Sequence, residues 1–251
     1  MRTYDTVSTP ARNTRPPALS ALLGSEERPI ERAYPGFRLG PLTLDLPSHG
    51  IVAVLGDNGA GKSTLFGQIR ARVADSNLRC TMLPQDFTLP PFARVEDLVL
   101  FVAQQRIDDA GTRKAAANRT LALTNLTDVA RRSVRQLSGG MRRRLGIALT
   151  VLGGPDLVIH DEPSAGLDMT QRTELRELLQ TLGHDHLVLV SSHIIEDIKH
   201  TANHVVMLVA GTKVFEGTSE EFLSHGDPTA PDAWERAYGV LNRSPARGGD
   251  S

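Results

Sequence analysis

Cysteine is nearly absent: Cys80 stands alone in 251 residues, so no disulfide can close inside the chain, and a reducing compartment is expected. An excess of either charge is missing too, since 28 basic residues against 29 acidic ones leave a net charge of −1. Nothing in that balance advertises nucleic acid or an acidic membrane surface, and no nucleic-acid partner is expected. Long apolar runs are lacking as well. Stretches such as Leu98–Ala103 fall far short of the roughly 18 residues that a spanning helix needs, and neither a secretory signal nor an internal repeat is found. A cytoplasmic location is the expectation, and any membrane the protein serves must be spanned by another chain. What remains is 40% hydrophobic and 23% charged, the profile of a globular chain with ample core.

Against that plain background three short stretches carry chemistry. IVAVL (51–55) is a continuous apolar run of strand length, followed by GDNGAGKST (56–64) and then by LFGQI, which continues as a helix. Gly56, Gly61, Lys62 and Ser63 keep the spacing G-x-x-x-x-G-K-[ST]. Glycines let successive N–H groups turn inward around a polyphosphate. A helix beginning near Lys62 adds unsatisfied N–H groups and the positive end of its dipole. Lys62 is then placed for the β- and γ-phosphates of a nucleoside triphosphate, and the Ser63 hydroxyl for Mg²⁺. LVIHDEP (157–163) is an apolar strand ending in two carboxylates. Beside a phosphate loop, Asp161 can hold Mg²⁺ directly or through water, and Glu162 can orient or deprotonate the attacking water. LSGGM (137–141) offers Ser138 as an N-cap and two glycines that expose backbone N–H groups, a second anion site about 75 residues beyond the first. One nucleotide has little use for two cradles, but in a head-to-tail pair each LSGGM could close over the γ-phosphate held by the other chain.

Between these stretches strands alternate with helices, which points to an α/β sheet. Residues 1–28, with Pro10, Pro16 and Pro17, read as a mostly disordered leader in which 18–23 can make a helical turn. The alternation in LTLDL (42–46) predicts a half-buried strand. A helix over 62–72 and a strand at CTML (80–83) follow. Helical spacing from Val95 to about Arg132, and a further helix opened by Ser138-Gly139-Gly140, make an all-helical insertion at about 92–150. Then come the strand LVIH, a helix over about 170–182, the strand HLVLVSS (186–192), a helix at IIEDIKHTA (194–202) and a strand pair from His204. Thr218 to Glu221 is a capping box. Trp234, Tyr238 and Leu241 share one helical stripe that predicts a docked, core-facing helix. Residues 29–242 are expected to be one domain of two lobes and 243–251 a disordered polar tail.

Taken in order, GDNGAGKST, Gln85, LSGGM, LVIHDEP, SAGLD (164–168) and His193 resemble the ATP-binding cassette (ABC) ATPases over about residues 30–225. The resemblance implies a P-loop NTPase core with a mainly parallel sheet, a reduced antiparallel β lobe and a helical signature lobe, with ATP and Mg²⁺ as cofactors. It implies that Gly56, Asn58, Gly59, Ala60, Gly61, Lys62, Ser63 and Thr64 form the Walker A loop. Gln85 becomes the Q-loop glutamine, contacting Mg²⁺ or the water and relaying to a membrane partner. Ser138, Gly139 and Gly140 become the signature acting across a dimer. Asp161 and Glu162 become the Walker B aspartate and catalytic base, Asp168 the D-loop aspartate, and His193 the switch histidine at the γ-phosphate. An aromatic should stack on adenine; Tyr34 is the first choice and Phe37 the second.

Departures from the family pattern carry expectations of their own. Met141 stands where the commonest signature has glutamine, but the phosphate contacts would come from Ser138 and the glycine amides. His160 replaces an apolar residue and is expected to be buried, neutral and without a role. Only 22 residues separate Lys62 from Gln85, so the antiparallel lobe should be trimmed. Arg142–Arg144, near a helix N-terminus where the dipole disfavours cations, are expected to be solvated. The stretch 140–168 looks most like bacterial exporters of the type-2 class, and no large regulatory domain follows His193. The implied protein is the ATPase subunit of an exporter: two copies, identical or different, sandwich two Mg·ATP and drive a separate transmembrane permease from the inner face of the cell membrane. The rivals are an ABC ATPase without a transport role, such as an iron–sulfur assembly partner, and a nucleotide-binding module that hydrolyses poorly. Intact Lys62, Asp161, Glu162 and His193 speak against the second.

Overall fold

Strands that are apolar along their whole length must be covered on both faces, and three stretches of this chain meet that condition. In the computed structural model, which describes residues 17–243, they become β3 (Gly50–Leu55), β5 (Leu157–His160) and β6 (Leu187–Ser192), every residue buried. Ahead of them lie α1 (Pro17–Gly24) and the strands β1 (Ile30–Tyr34) and β2 (Phe37–Leu42). After β3 come α2 (Lys62–Ala74), β4 (Cys80–Leu83) and the helices α3 (Val95–Arg106), α4 (Ala110–Leu123) and α5 (Gly139–Val151). Helix α6 (Met169–Asp185) joins β5 to β6, and the chain continues through β7 (His204–Val209), β8 (Thr212–Thr218), α7 (Ser219–Leu223) and α8 (Ala233–Arg243).

Six strands make one sheet in the order β4-β5-β6-β3-β7-β8, parallel throughout except for the β7–β8 hairpin. Strands β1 and β2 form a separate antiparallel pair, the reduced β lobe that the short Lys62-to-Gln85 segment predicts. Alternate residues of the central strands enter two cores. Val52, Val54, Ile159 and Leu189 face α1, α2 and the β1–β2 pair; Ile51, Ala53, Val158 and Val190 face α6, α7 and α8. A third core lies in the helical lobe, where Val95, Val99, Leu121, Leu126 and Leu145 join α3, α4 and α5. Asp109 caps α4 by accepting from the N–H groups of Gly111 and Thr112, and this cap separates α4 from α3.

Several elements differ from the sequence reading. Residues 1–16 of the expected leader lie outside the described residues, but 17–28 are ordered. Leu19 and Leu23, one helical turn apart on α1, are buried in the first core, and the Arg72 guanidinium donates to the carbonyls of Leu22, Arg28 and Pro29. LTLDL is not a strand. Leu42, Leu44 and Leu46 are buried as the alternation demands, yet the backbone finds other partners: Leu44 N–H bonds the Leu23 carbonyl, Asp45 N–H bonds Glu216 Oε1, and Lys213 Nζ bonds the Thr43 carbonyl. IIEDIKHTA makes only a 3₁₀ turn at Ile195–Asp197. Its β-branched Ile194, Ile195 and Ile198 favour helix poorly, and Ser192 Oγ accepts from Ile194 N–H to turn the chain at once. At the other end Arg243, assigned to the tail, closes α8, and 244–251 lie outside the described residues.

Burial of Leu23 against the sheet makes α1 part of the fold rather than an appendage. Leu23→Ala is expected to lower stability by about 2–5 kcal/mol, read as a drop in the urea midpoint at unchanged slope. A loss below about 0.5 kcal/mol would show that α1 is dispensable.

Candidate active site

Because β5, β6 and β3 are neighbours and parallel, the loops leaving their carboxyl ends emerge side by side, where α/β sheets collect ligands. Those loops hold Gly56–Gly61, Asp161-Glu162 and His193. The phosphate loop is shaped by residues that cannot carry a side chain. Gly56 has φ +151°, and a Cβ there would lie 2.5 Å from the Leu208 carbonyl oxygen. Gly61 has φ +104°, and its Cβ would lie 2.8 Å from Phe37 Cζ. Gly61 opens α2 with no side-chain cap, which leaves the first N–H groups of the helix directed at the loop. Lys62 is buried and its Nζ donates to the carbonyls of Gly56 at 2.8 Å and Asp57 at 3.2 Å. An uncapped helix start beside a buried ammonium suits a polyphosphate.

Ser63 Oγ donates to Asp161 Oδ2 at 2.7 Å. A hydroxyl and a carboxylate so close fit Mg²⁺, which takes one or two protein oxygens and completes its shell with phosphate and water. Among the described residues no group of three or more His, Cys, Asp or Glu could hold an ion alone. Asp161 Oδ1 accepts from Ser191 Oγ at 2.5 Å, and the same hydroxyl accepts from Glu162 N–H at 2.8 Å. Glu162 stands at φ +46°, a left-handed conformation that a non-glycine residue adopts at a cost of about 1–3 kcal/mol. Ser191 pins that peptide. The Glu162 carboxylate is held between two nitrogens: Oε1 lies 3.8 Å from Lys62 Nζ, and Oε2 lies 2.8 Å from His193 Nδ1. Only 9% of the Glu162 side chain and 6% of Lys62 are exposed, whereas His193 is 43% exposed.

The structure thus joins Lys62, Ser63, Asp161, Glu162 and His193 in one hydrogen-bonded and ion-paired group. Other predicted residues lie outside it. Gln85 is exposed on the turn after β4, and among the described residues no hydrogen bond joins it to Ser63 or Asp161; its carbonyl accepts from Arg143 Nη1 at 3.2 Å. Ser138 caps α5 by accepting from Met141 N–H at 3.2 Å, and with Gly139 it faces solvent. Gly140 is buried against α6, where a Cβ would lie 2.9 Å from Gln171 Cδ. Gln171 in turn completes the capping box of Asp168. Tyr34 is 48% exposed beside the Arg32 guanidinium, while Phe37 is partly buried, packed against the first core with its ring beside Gly61.

Arg142–Arg144 are not simply solvated. Arg142 Nη1 reaches back to the Leu137 carbonyl and Arg144 pairs with Glu174. Arg143 stacks over Phe87 and donates to the carbonyls of Gln85 and Ala165; burial holds its pKa below the usual arginine value. The helix dipole argument lost to these nearby carbonyls and to Glu174. His160 is fully buried, and burial with Arg143 nearby pushes its pKa down to about 3, so it stays neutral. Thr150 gives its proton to the Ile147 carbonyl, so His160 Nε2 donates to Thr150 Oγ1 at 3.0 Å and Nδ1 is left without a partner. Ser191 is the residue that sequence reasoning missed; its only signal is the hydroxyl pair SS that ends the strand before His193.

Comparison with known proteins agrees with this geometry. The ABC transporter family model matches residues 39–165. The chain is 31% identical to the molybdenum import ATP-binding protein ModC 1 of Azotobacter vinelandii, over 84% of this chain and 64% of that one. It is also 31% identical to the Nod factor export ATP-binding protein I of Cupriavidus pinatubonensis, over 82% of this chain and 69% of that one. It therefore spans about two thirds of the length of these curated relatives. A solved metal-chelate type ABC transporter in an inward-facing conformation superimposes with a TM-score of 0.64 at 27% identity, covering 74% of this chain and 79% of that one. The chain belongs to the ABC transporter family, among its ATP-binding members.

Ser191 links the Asp161 carboxylate to the Glu162 peptide, so if these two acids serve hydrolysis its loss should be felt in turnover more than in binding. Ser191→Ala is expected to lower kcat for ATP about 10- to 100-fold, the worth of one hydrogen bond to a charged group, with KM changed less than about threefold. Ser191→Thr, which keeps the hydroxyl, should restore most of it. Equal kcat in Ser191→Ala and wild type would remove Ser191 from the machinery.

Proposed function

We propose that this chain is the ATP-hydrolysing subunit of a bacterial exporter, working as a pair of cassettes beneath a separate transmembrane permease. The observation that carries the hydrolytic reading is the convergence of Lys62, Ser63, Asp161, Glu162 and His193 on one edge of the sheet. Lys62 exchanges its loop carbonyls for the β- and γ-phosphates of ATP, and the uncapped N–H groups of α2 take the phosphate oxygens. Ser63 Oγ and Asp161 would hold Mg²⁺, which would supply positive charge to stabilise the transferred phosphoryl group. Glu162 takes the proton of the attacking water, and His193 orients its carboxylate and meets the γ-phosphate. Tyr34, exposed on the β1–β2 pair, stacks on the adenine. Gln85, at the junction with the helical lobe, relays occupancy of the site to the permease.

Ser138 and Gly139 are exposed at the start of α5 and unconnected to the Lys62 group. Their use is across a dimer, where Ser138, Gly139 and Gly140 of one copy and Asp168 at its α6 cap close over the nucleotide of the other. Among the described residues no helix is long and apolar enough to cross a membrane, which fits a chain held at the inner face of the membrane by its permease. The direction of transport rests on residues 140–168, whose pattern resembles type-2 exporters; the relatives include both a molybdenum import and a Nod factor export protein.

Glu162→Gln is expected to keep ATP binding and to lose about 10²- to 10⁴-fold in turnover, the usual loss with a general base. Trapped with Mg·ATP in detergent-solubilised membranes, the tagged variant should co-purify with a stoichiometric multi-span membrane protein. Turnover equal to wild type would displace Glu162 as the base, and recovery with water-soluble partners alone would overturn the transport role.

A further inference from the structure

Helix α8 reaches the phosphate loop from the far side of the sheet. Trp234, Ala237 and Leu241 are buried in the second core, with the Trp234 ring 5.2 Å from that of Phe222. Tyr238, one turn beyond Trp234, also packs there, but its hydroxyl leaves the core and donates to Asp57 Oδ1 at 2.6 Å. Asn242, a further turn on, donates to Asp57 Oδ2 at 3.4 Å. Asp57 is the second residue of the phosphate loop. Its carbonyl accepts from Ala60 N–H at 3.0 Å and from Lys62 Nζ at 3.2 Å.

These bonds differ in what becomes of them when a polyphosphate enters. Residues 57–59 are exposed, so the loop tip has little packing of its own. The Lys62 bond to Asp57 is given up once the ammonium turns to phosphate, whereas the bonds from Tyr238 and Asn242 persist because they hold the carboxylate from outside. We propose that α8 is a strut for the phosphate loop, with Tyr238 as its positioning residue: by fixing Asp57 it keeps the loop N–H groups aimed at the nucleotide and ties the loop to α8. Burial and the neighbouring carboxylate hold the Tyr238 hydroxyl pKa above the ordinary tyrosine value, so the group remains a proton donor at any physiological pH. The inference rests on the nucleotide-binding reading of the loop.

The chain carries its own reporter, since its single tryptophan is Trp234 on α8. Mg·ADP is titrated onto the full chain, with affinity read by equilibrium dialysis and the helix by tryptophan emission. Tyr238→Phe is expected to raise the Kd for Mg·ADP about three- to tenfold, the effect of one partly exposed hydrogen bond to a charge. It should also more than halve the emission change, while the thermal midpoint stays near that of wild type because the ring still packs. Asp57→Ala, which leaves α8 intact, should raise Kd by a similar factor, and the double variant should be no worse than either single one. Unchanged Kd and emission response in Tyr238→Phe, or effects of the two substitutions that simply add, would overturn the strut alone. A wild type that fails to bind Mg·ADP would overturn the nucleotide-binding reading and the strut together.

Discussion

Parallel pairing of β5, β6 and β3 is the constraint on which the rest depends. The register sets Leu55 beside Ser192 and His160 beside Val190, so the residue after β5 must stand next to Ser191. Strands in a sheet lie about 4.8 Å apart, and main-chain bonds hold that spacing whatever the side chains do. The phosphate loop, the two carboxylates and His193 are therefore brought within reach of one another by backbone geometry. Side chains then select among positions that the sheet has already limited. The two-sided burial of these strands is what makes the pairing durable, and so the apolar runs that look least functional fix the site.

Charge inside the site is balanced rather than maximised. Lys62, Asp161 and Glu162 are all buried, and each would cost several kcal/mol to desolvate alone. Asp161 is answered by two hydroxyls, Ser63 and Ser191, and Glu162 by Lys62 and His193. On the proposed reading, a polyphosphate would enter by replacing these partners, with Lys62 leaving its loop carbonyls and Ser63 leaving Asp161. Ser191 stays and keeps the strained Glu162 peptide in place while the rest is exchanged. That fixed point is what a preorganised site requires.

Sequence reasoning succeeded where one short stretch contained both the signal and the structure. Gly56–Ser63 shows its glycine spacing, its lysine and its helix start within eight residues, and the strand LVIH with its two acids does the same. It failed where partners came from elsewhere in the chain. LTLDL has the burial of a strand, but its backbone bonds go to Leu23, Lys213 and Glu216, which no local pattern reveals. Arg143 could be placed only by knowing that Gln85 and Ala165 would arrive beside it. Residues 17–28 read as leader because proline and polar residues dominate their neighbourhood, although the spacing of Leu19 and Leu23 was already that of a docked turn. The stripe of α8 was legible as core for Trp234 and Leu241, while the polar tip of Tyr238 needed the fold to find Asp57.

The two lobes are joined in a way that bears on how one site can sense another. Gly140 of α5 lies so close to Gln171 that a Cβ would have to displace it. Gln171 closes the cap of Asp168, and Asp168 ends the turn that begins at Glu162. Arg143, one turn into α5, donates to Ala165 within that same turn and to Gln85 on the other side. The start of α5 is therefore gripped both at the Glu162–Asp168 turn and at Gln85. The exposed Ser138 and Gly139 are thereby tied, through Gly140 and Arg143, to contacts that reach Ala165, three residues from Glu162. In this fold the exposed start of α5 and the turn that carries Glu162 are parts of one packed unit.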